Sequence, residues 1–152
     1  MQPEARKQLA SSEVRGYMTA DPQTLDVNST LLDAVLLLRQ ANLHHIPILE
    51  DNHLVGILTD RDVARVAPSI LTSLSPEEYN RIFEETSVVK VMTRNPLFTA
   101  PHTPLAEAVS LLQENRLGCL PVVEDGHLVG IITVRDMLRV LSDLMGTPEA
   151  AS

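Results

Sequence analysis

The chain has 152 residues, enough for one domain or two small fused lobes with a hydrophobic core. Acidic residues outnumber basic residues by 20 to 12, which gives a net charge of −8. That charge argues against nucleic acid or an anionic membrane as a partner, because both require a basic surface. The single cysteine allows no internal disulfide, so we expect a reducing, cytoplasmic location. No apolar run approaches ~20 residues and residues 1–16 lack an apolar segment, so neither a membrane span nor a signal peptide is predicted.

The chain repeats itself at an offset of 74 residues. Residues 14–66 and 88–140 share 23 identities over 53 positions without a gap. Two copies are too few for a solenoid, so we expect a pair related by a pseudo-two-fold axis. The predicted organisation is an N-terminal extension, a first repeat, a connecting segment with a short helix, a second repeat and a disordered tail, at 1–13, 14–67, 68–87, 88–145 and 146–152.

Both copies predict the same elements in the same order. A short strand follows Met-Thr-Ala-Asp-Pro in copy one and Met-Thr-Arg-Asn-Pro in copy two. Helical periodicity follows over 29–43 and 103–117, with Thr30 and Thr103 as candidate caps. The runs at 45–50 and 120–124 then turn back, through Asp-Asn or Asp-Gly, into strands at 54–58 and 128–132.

A further helix closes each copy, over 59–66 and 133–145. The order β-α-β-β-α predicts an α/β fold of the α+β type, with two small sheets packed on helices. Between the copies, Ser75-Pro76-Glu77-Glu78 predicts a helix start, because Ser caps, Pro suits the first helical position and Glu suits the first turn.

A Gly-x-x-Thr-x-Arg-Asp string occurs in both copies, and it has two interpretations. In the first, Thr59 and Asp62 form a capping box at a helix start, as do Thr133 and Asp136. The preceding glycines would then allow tight packing of helix against sheet. Capping is common, so a single copy of the string would favour this structural interpretation.

The second interpretation is a nucleotide clasp. Both copies carry Asp where Glu or Gln is usual in a capping box, and both carry arginines four positions apart on one helix face, at 61 and 65 and at 135 and 139. A helix N-terminus offers N–H groups and a positive dipole end to an anion, and a neighbouring carboxylate can accept from a sugar diol.

The doubled string, the Met-Thr openings and the strands His-Ile-Pro-Ile-Leu and Leu-Pro-Val-Val-Glu resemble a tandem pair of cystathionine-β-synthase (CBS) domains, a Bateman module. The resemblance covers roughly 14–144 and is closest to stand-alone bacterial CBS-pair proteins of the acetoin-utilisation regulator kind. It implies binding of AMP, ADP or ATP, with S-adenosylmethionine or NAD as alternatives, in clefts between the repeats of a homodimer. By this resemblance Asp holds ribose, Thr contacts phosphate and the Pro-bearing strand reads adenine. The implied ligand-binding residues are Thr24, His44, His45, Ile46, Ile48, Thr59, Arg61 and Asp62 in copy one, and Phe98, Leu120, Val122, Thr133, Arg135 and Asp136 in copy two.

The copies differ where the Pro-bearing strand begins. Copy one has His44-His45 and copy two has Gly118-Cys119. Histidines change charge near neutral pH, so copy one is predicted to tolerate phosphate and to bind it in a pH-dependent manner. The alternative is that both histidines are surface residues at a helix–strand corner. Gly118 is a candidate for a left-handed turn, and Cys119 for a small buried apolar residue.

No arrangement of residues in the sequence predicts catalysis or metal binding. The hypothesis is a non-catalytic regulatory module that requires no cofactor, binds an adenosine compound and signals to an effector protein that the sequence does not identify. Two alternatives remain open: a constitutive scaffold in which both Thr-x-x-Asp pairs only cap helices, and an enzyme acting on a nucleotide or small metabolite.

Overall fold

The computed structural model describes residues 3–71 and 74–146, and of residues 68–71 it describes the backbone alone. The tail predicted to be disordered lies, from residue 147 onward, outside the described residues. The chain forms two compact units. The central unit is residues 22–96, and the terminal unit combines residues 1–21 with residues 97–152.

The elements follow the predicted order with additions at the start of each copy, but the strand predicted after Met-Thr-Arg-Asn-Pro in copy two is wrong, because only a single bridge forms there. They are α1 (Pro3–Ser11), β1 (Thr19–Ala20), β2 (Leu25–Asp26), α2 (Leu31–Gln40), β3 (His45–Glu50), β4 (His53–Thr59), α3 (Asp60–Leu71), α4 (Pro76–Glu85), β5 (Thr93–Arg94), α5 (Leu105–Glu114), β6 (Cys119–Glu124), β7 (His127–Thr133) and α6 (Val134–Met145). Short 3-10 turns cover Val14–Gly16 and Val88–Lys90.

The central unit is built on a four-stranded sheet in the order β2-β3-β4-β5. β2 runs parallel to β3, and the other pairs are antiparallel. The β3–β4 hairpin turns through Asp51 and Asn52, both with positive φ, as a tight hairpin requires. Helix α2 packs against α3, α4 and β3. The buried apolar core comprises Leu31, Ala34, Ile46, Ile48, Leu58, Phe83 and Val88.

The terminal unit is built on a three-stranded sheet in the order β1-β7-β6. Where the central unit has β2, it has a single parallel bridge between Thr99 and Val122. Helix α5 contacts α1 and β6, and α6 contacts β7. The core is aliphatic, as the low aromatic content requires, and comprises Val14, Leu105, Ala108, Leu112, Leu120, Val122, Ile132 and Val140.

The two Met-Thr segments pair with the hairpin of the other copy, which the repeat pattern does not indicate. β1, from copy one, pairs antiparallel with β7 of copy two, and β5, from copy two, pairs with β4 of copy one. Asp21 and Asn95 then adopt left-handed φ values of 46° and 47° before their prolines. Asp and Asn tolerate this conformation better than most residues. The chain therefore passes from one unit to the other at equivalent points in both copies.

Gly56 and Gly130 admit the methionine of the exchanged segment. A Cβ on Gly56 would meet Met92 Sδ, and a Cβ on Gly130 would lie 2.5 Å from Met18 Sδ and 3.0 Å from the Thr19 carbonyl oxygen. From the sequence, these glycines are expected to allow packing of helix against sheet. In the structure, a side chain at either position would instead collide with a Met-Thr segment. The close neighbours belong to the Met-Thr segments.

The helix starts are only partly as predicted. Ser75 caps α4 with Pro76 in the first turn, and Thr30 caps α2. Thr103 does not cap α5. Pro104 takes that position, and Thr103 Oγ1 instead accepts from the Ala100 N–H at 3.2 Å. Helix α1 lies in the segment predicted only as an extension, at the positions that α4 occupies in copy two.

The turn before β6 also differs from the prediction. Gly118 is not among the residues with positive φ, and Arg116 adopts the left-handed conformation there, with a φ of 53°. The equivalent residue of copy one, Asn42, has a φ of 52°. Within the described residues, no helix is long and apolar enough to cross a membrane.

Gly130→Ala is expected to lower the free energy of unfolding by ~1–3 kcal/mol, because the new methyl group would displace both a methionine and backbone. Gly56→Ala should cost less, because only the flexible Met92 side chain must move. Gly16→Ala is the control, since its Cβ would meet nothing within 4 Å. Urea unfolding measures all three, and a Gly16→Ala loss as large as that of Gly130→Ala would contradict the steric explanation.

Thr99→Val is expected to raise the free energy of unfolding by ~1 kcal/mol, because it removes a buried polar atom that lacks a partner. Thr99 is 5% exposed, and its Oγ1 forms no hydrogen bond within the described chain. Thr103→Val, which removes a hydrogen-bonded hydroxyl, is the control and should lose stability. A loss of stability in Thr99→Val would show instead that its hydroxyl has a polar partner in solution, such as a buried water.

Candidate functional site

The candidate site of the central unit lies where the start of β3 meets the start of α3. His45 is the register partner of Thr59, the last residue of β4. The Asp60 N–H donates to the His44 carbonyl at 3.1 Å, which joins the helix start to the strand start. β4 runs directly into α3, so the Thr-x-Arg-Asp side chains lie at a strand–helix junction.

Both Thr-x-x-Asp pairs form the capping box, so the structural interpretation is confirmed as far as geometry goes. The Thr59 N–H donates to Asp62 Oδ2 at 2.9 Å, and the Asp62 N–H donates to Thr59 Oγ1 at 3.0 Å. The corresponding distances for Thr133 and Asp136 are 2.8 and 3.2 Å. The Thr133 hydroxyl also donates to Asp136 Oδ2 at 3.0 Å. Asp is therefore long enough to close the box.

Burial and an arginine distinguish these two boxes from an ordinary cap. Asp62 is 5% exposed and Asp136 is 8% exposed. Arg65 Nη2 lies 3.6 Å from Asp62 Oδ1, and Arg139 Nη2 lies 3.4 Å from Asp136 Oδ1. A buried carboxylate requires such a partner, because removal from water penalises its charge. In each box Oδ2 accepts the hydrogen bond from the threonine N–H, and Oδ1 faces an arginine. Oδ1 therefore has lone pairs left for a further donor.

A third box in the chain provides an internal comparison. Thr30 and Asp33 at the start of α2 exchange the same two bonds, at 2.9 and 3.2 Å. Asp33 is exposed and, within the described residues, forms no ion pair. A capping box in this protein therefore needs neither burial nor a partner arginine, and these two features call for a reason beyond capping.

The central site carries ionisable groups that affect one another. His44 Nδ1 lies 2.8 Å from Asp60 Oδ2. Desolvation raises the pKa of Asp60, but hydrogen bonds from His44 and the Arg61 backbone, with the charges of both histidines, outweigh it and bring the net pKa below its ordinary value. For His45, burial is the largest effect and lowers the pKa below 6.5, and the charges of His44 and Arg61 lower it further. The carboxylates of Asp60 and Asp62 oppose that shift without reversing it.

The equivalent place in the terminal unit has no such groups. Gly118 and Val134 occupy the positions of His44 and Asp60, and the Val134 N–H donates to the Gly118 carbonyl at 3.0 Å. Cys119, in place of His45, is 8% exposed, and burial raises the pKa of its thiol to about 12. The prediction that Cys119 is a small buried residue is confirmed. A thiol with this pKa stays protonated and unreactive near neutral pH.

The apolar residues predicted to read adenine have buried side chains. Ile46, Ile48, Leu120 and Val122 are all 0% exposed and belong to the two cores. Only their backbone is available to a ligand. β2 pairs with Ile48 and Leu49 alone, so within the described central unit the same edge of β3 has no paired strand from His45 to Pro47.

The remaining predicted residues lie apart from the boxes or on the surface. Thr24 immediately precedes β2 and, with residues of α2, lines a cavity of ≈ 590 Å³. Phe98 is 59% exposed. Arg61 and Arg135 are exposed in the first turns of α3 and α6.

Asp60 was not among the predicted residues, because its contact with His44 depends on a strand–helix junction and not on spacing. The described residues include no group of three or more side chains suited to a metal ion.

His45→Gln is expected to make stability less sensitive to acid. Because the pKa of His45 is lower in the folded protein than in the unfolded chain, the unfolded chain binds the proton first. The wild type should therefore lose stability as pH falls from ~7 through the unfolded value of ~6.5 towards the lower folded value. Urea unfolding at several pH values between 7 and 5 measures the slope. His53→Gln, at an exposed hairpin position, is the control. Equal slopes in the wild type and His45→Gln would contradict the expectation.

Comparison with known proteins gives three informative likenesses. The chain is 34% identical over 128 residues to inosine-5'-monophosphate dehydrogenase of Staphylococcus aureus. The matched segment covers 80% of this chain but only 23% of the dehydrogenase. A Vibrio cholerae protein described as the acetoin utilization protein AcuB superposes with a TM-score of 0.74 and 33% identity, covering 88% of this chain and 93% of the other. CBSX2, solved in complex with AMP, superposes with a TM-score of 0.74 and 27% identity, covering 88% and 98%.

The family assignment rests on a match to both repeats. The CBS-domain family model matches residues 13–69 and 88–143, which is most of the chain. The two β-α-β-β-α copies, their sheets and their helices agree with the solved CBS-pair structures. This chain belongs to the CBS-domain family, as a tandem pair of CBS domains.

Proposed function

We propose that the chain is a regulatory module that binds adenosine-containing ligands of the AMP, ADP or ATP class at its Thr-x-x-Asp strings. The observation that supports this most directly is the pair of buried aspartates, each with an arginine at Oδ1, at equivalent positions of both copies. A sugar hydroxyl could donate to Oδ1 as the arginine moves aside. The likeness to CBSX2, solved with AMP, supports the same ligand class.

The adenine would lie against the unpaired edge of β3 in the central unit and against the corresponding backbone of β6 in the terminal unit. Phe98 adds an exposed ring that could stack on the base. S-adenosylmethionine or NAD would present the same adenosine moiety. The phosphate contact proposed for Thr133 requires its hydroxyl to leave Asp136 Oδ2.

The charges of the two sites bear on which ligand each prefers. With neutral histidines, the central cluster of Arg61, Arg65, Asp60 and Asp62 has a formal charge of 2 − 2 = 0. The terminal cluster of Arg135, Arg139 and Asp136 has 2 − 1 = +1. We therefore propose that acidification makes the central site more favourable for a phosphorylated ligand, because His45 then gains charge.

A second candidate function has its own support. All three capping boxes are complete without a ligand, so a constitutive homodimeric scaffold would need no nucleotide. The regulatory proposal differs in requiring a ligand, and it further implies a homodimer and an unknown effector protein in the cytoplasm. Catalysis forms no part of this proposal. The chain spans only 23% of the dehydrogenase relative, so the activity of that enzyme is not carried over to it.

Asp62→Asn and Asp136→Asn are each expected to weaken AMP binding at their own site by ~10- to 100-fold, because each removes a charged acceptor for ribose. Asn keeps an oxygen for the threonine N–H, so the cap is disturbed less than by Ala. Calorimetry with AMP, ADP and ATP on the wild type and each variant measures affinity and the number of sites.

Asp33→Asn is the matched control, because it alters a capping box of the same spacing at an exposed position. It should leave nucleotide affinity unchanged. If the wild type binds none of the three nucleotides, the scaffold function is favoured. If the wild type binds them and Asp62→Asn and Asp136→Asn bind them equally well, the proposed ribose contacts are wrong.

A further inference from the structure

The central unit contains a cavity that the proposed nucleotide sites do not use. It measures ≈ 680 Å³ and lies at the Glu50 end of β3, whereas His45 and the capping box lie at the other end of that strand. Its apolar wall is formed by Val27, Val55, Val89 and Met92. Its polar lining includes Asn28, Glu50, Lys90, Arg94 and Asn95. All of these residues belong to the central unit.

The same place in the terminal unit can be identified by backbone bonds. In the central unit the Val88 N–H donates to the Ser29 carbonyl, and in the terminal unit the Val14 N–H donates to the Thr103 carbonyl, at 3.0 and 2.9 Å. The bridges Thr30–Ser87 and Pro104–Glu13 are likewise equivalent at the 74-residue offset. Residues around these bonds can therefore be compared position by position.

In the terminal unit this place contains the protein's own ion cluster. Glu13 Oε2 lies 3.1 Å from His102 Nδ1 and 3.4 Å from Arg15 Nε. His102 Nε2 lies 3.9 Å from Glu124 Oε1. The Glu13 carboxylate, at the start of the segment that pairs with the sheet of copy two, and the Glu124 carboxylate, at the end of β6, thus both lie near His102.

In the central unit that carboxylate is missing. Ser87 stands in place of Glu13, and its hydroxyl accepts from the Val89 N–H and donates to the Val27 carbonyl, at 3.2 and 3.3 Å. Lys90 and Arg94 stand in place of Gly16 and Ala20. Within the described residues neither cation has an ion-pair partner.

The difference in charge between the two places is large for such similar backbones. Seven equivalent positions carry +2 − 1 = +1 in the central unit, counting Ser87, Val89, Lys90, Arg94, Asn95, Asn28 and Glu50. The same positions carry +1 − 3 = −2 in the terminal unit with a neutral histidine, counting Glu13, Arg15, Gly16, Ala20, Asp21, His102 and Glu124. A positively charged cavity is unusual on a chain of net charge −8.

We propose that this cavity binds a small organic anion, with a phosphate or carboxylate between Lys90 and Arg94 and an apolar body against the valines and Met92. The bound anion would supply the negative charge that Glu13 supplies in the terminal unit, but with Lys90 and Arg94 as its partners in place of Arg15 and His102. A cavity of this volume suits a small molecule. Four of its lining residues are apolar and six are polar or charged, which suits a ligand with an apolar body and an anionic group. Arg and Lys side chains both bind phosphate and carboxylate groups, Arg often through two hydrogen bonds.

Phenyl phosphate, benzoate and inorganic phosphate are the probes, each titrated into the isotopically labelled full chain and followed by backbone amide NMR. We expect phenyl phosphate or benzoate to shift the amides of residues 27–28 and 87–95 in a saturable manner. Inorganic phosphate, which lacks the apolar body, should bind more weakly than phenyl phosphate. The comparison of phenyl phosphate with benzoate identifies the preferred anion.

Lys90→Gln with Arg94→Gln should weaken the tighter organic probe by at least ~10-fold, because both charged donors are lost. Ser87→Glu should weaken it similarly by supplying an internal carboxylate, as Glu13 does. Arg6→Gln with Lys7→Gln, on exposed positions of α1, removes the same charge elsewhere and should leave the affinity unchanged.

The proposal is overturned if no saturable shift is seen at 27–28 and 87–95, or if the Lys90 and Arg94 variant and the Ser87→Glu variant both bind as the wild type does. Shifts centred on residues 59–62 or 133–136 would report on the nucleotide sites and would also overturn it. The result is independent of nucleotide binding, since either site can bind its ligand while the other fails to.

Discussion

The exchange of the two Met-Thr segments is the constraint on which the rest of the structure depends. Each segment adds a short strand to the hairpin of the other copy, and each places its methionine against a glycine of that hairpin. The β-branched or larger residues typical of strands would therefore displace Met92 at Gly56, and would displace both Met18 and backbone at Gly130. Because the exchange occurs in both directions, neither unit can be assembled from a single contiguous repeat.

The glycines also connect this constraint to the candidate sites. Gly56 and Gly130 lie three residues before the capping threonines, on the strands that run directly into α3 and α6. The exchanged strands pair with those same hairpin strands. The Arg139 guanidinium extends the connection in the terminal unit, because it faces Asp136 and also donates to the Tyr17 carbonyl at 2.8 Å, just before the exchanged strand. The buried carboxylate is thus held to the segment that completes its sheet.

The two units show how one backbone supports different electrostatics. Near the capping boxes, the central unit has His44, His45 and Asp60 where the terminal unit has Gly118, Cys119 and Val134. At the opposite end of the sheets the pattern reverses, with an internal ion cluster in the terminal unit and an open cationic cavity in the central unit. The two copies share the core positions and the capping boxes at the starts of α3 and α6, which packing and hydrogen bonding restrict. The ends of the sheets, where side chains meet solvent, have diverged.

The sequence by itself determined the repeat, the order of the main strands and helices, the hairpin turns and the capping boxes at the starts of α3 and α6. These follow from local rules: periodicity, turn residues and i to i+3 hydrogen bonds act between neighbours in the chain. Only the tertiary structure decided the exchange of Met18 and Met92 between copies, the pairing of His44 with Asp60 and the burial of Asp62 and Asp136. Those contacts join residues distant in the chain, and their geometry depends on how strands and helices pack, which composition and spacing do not encode.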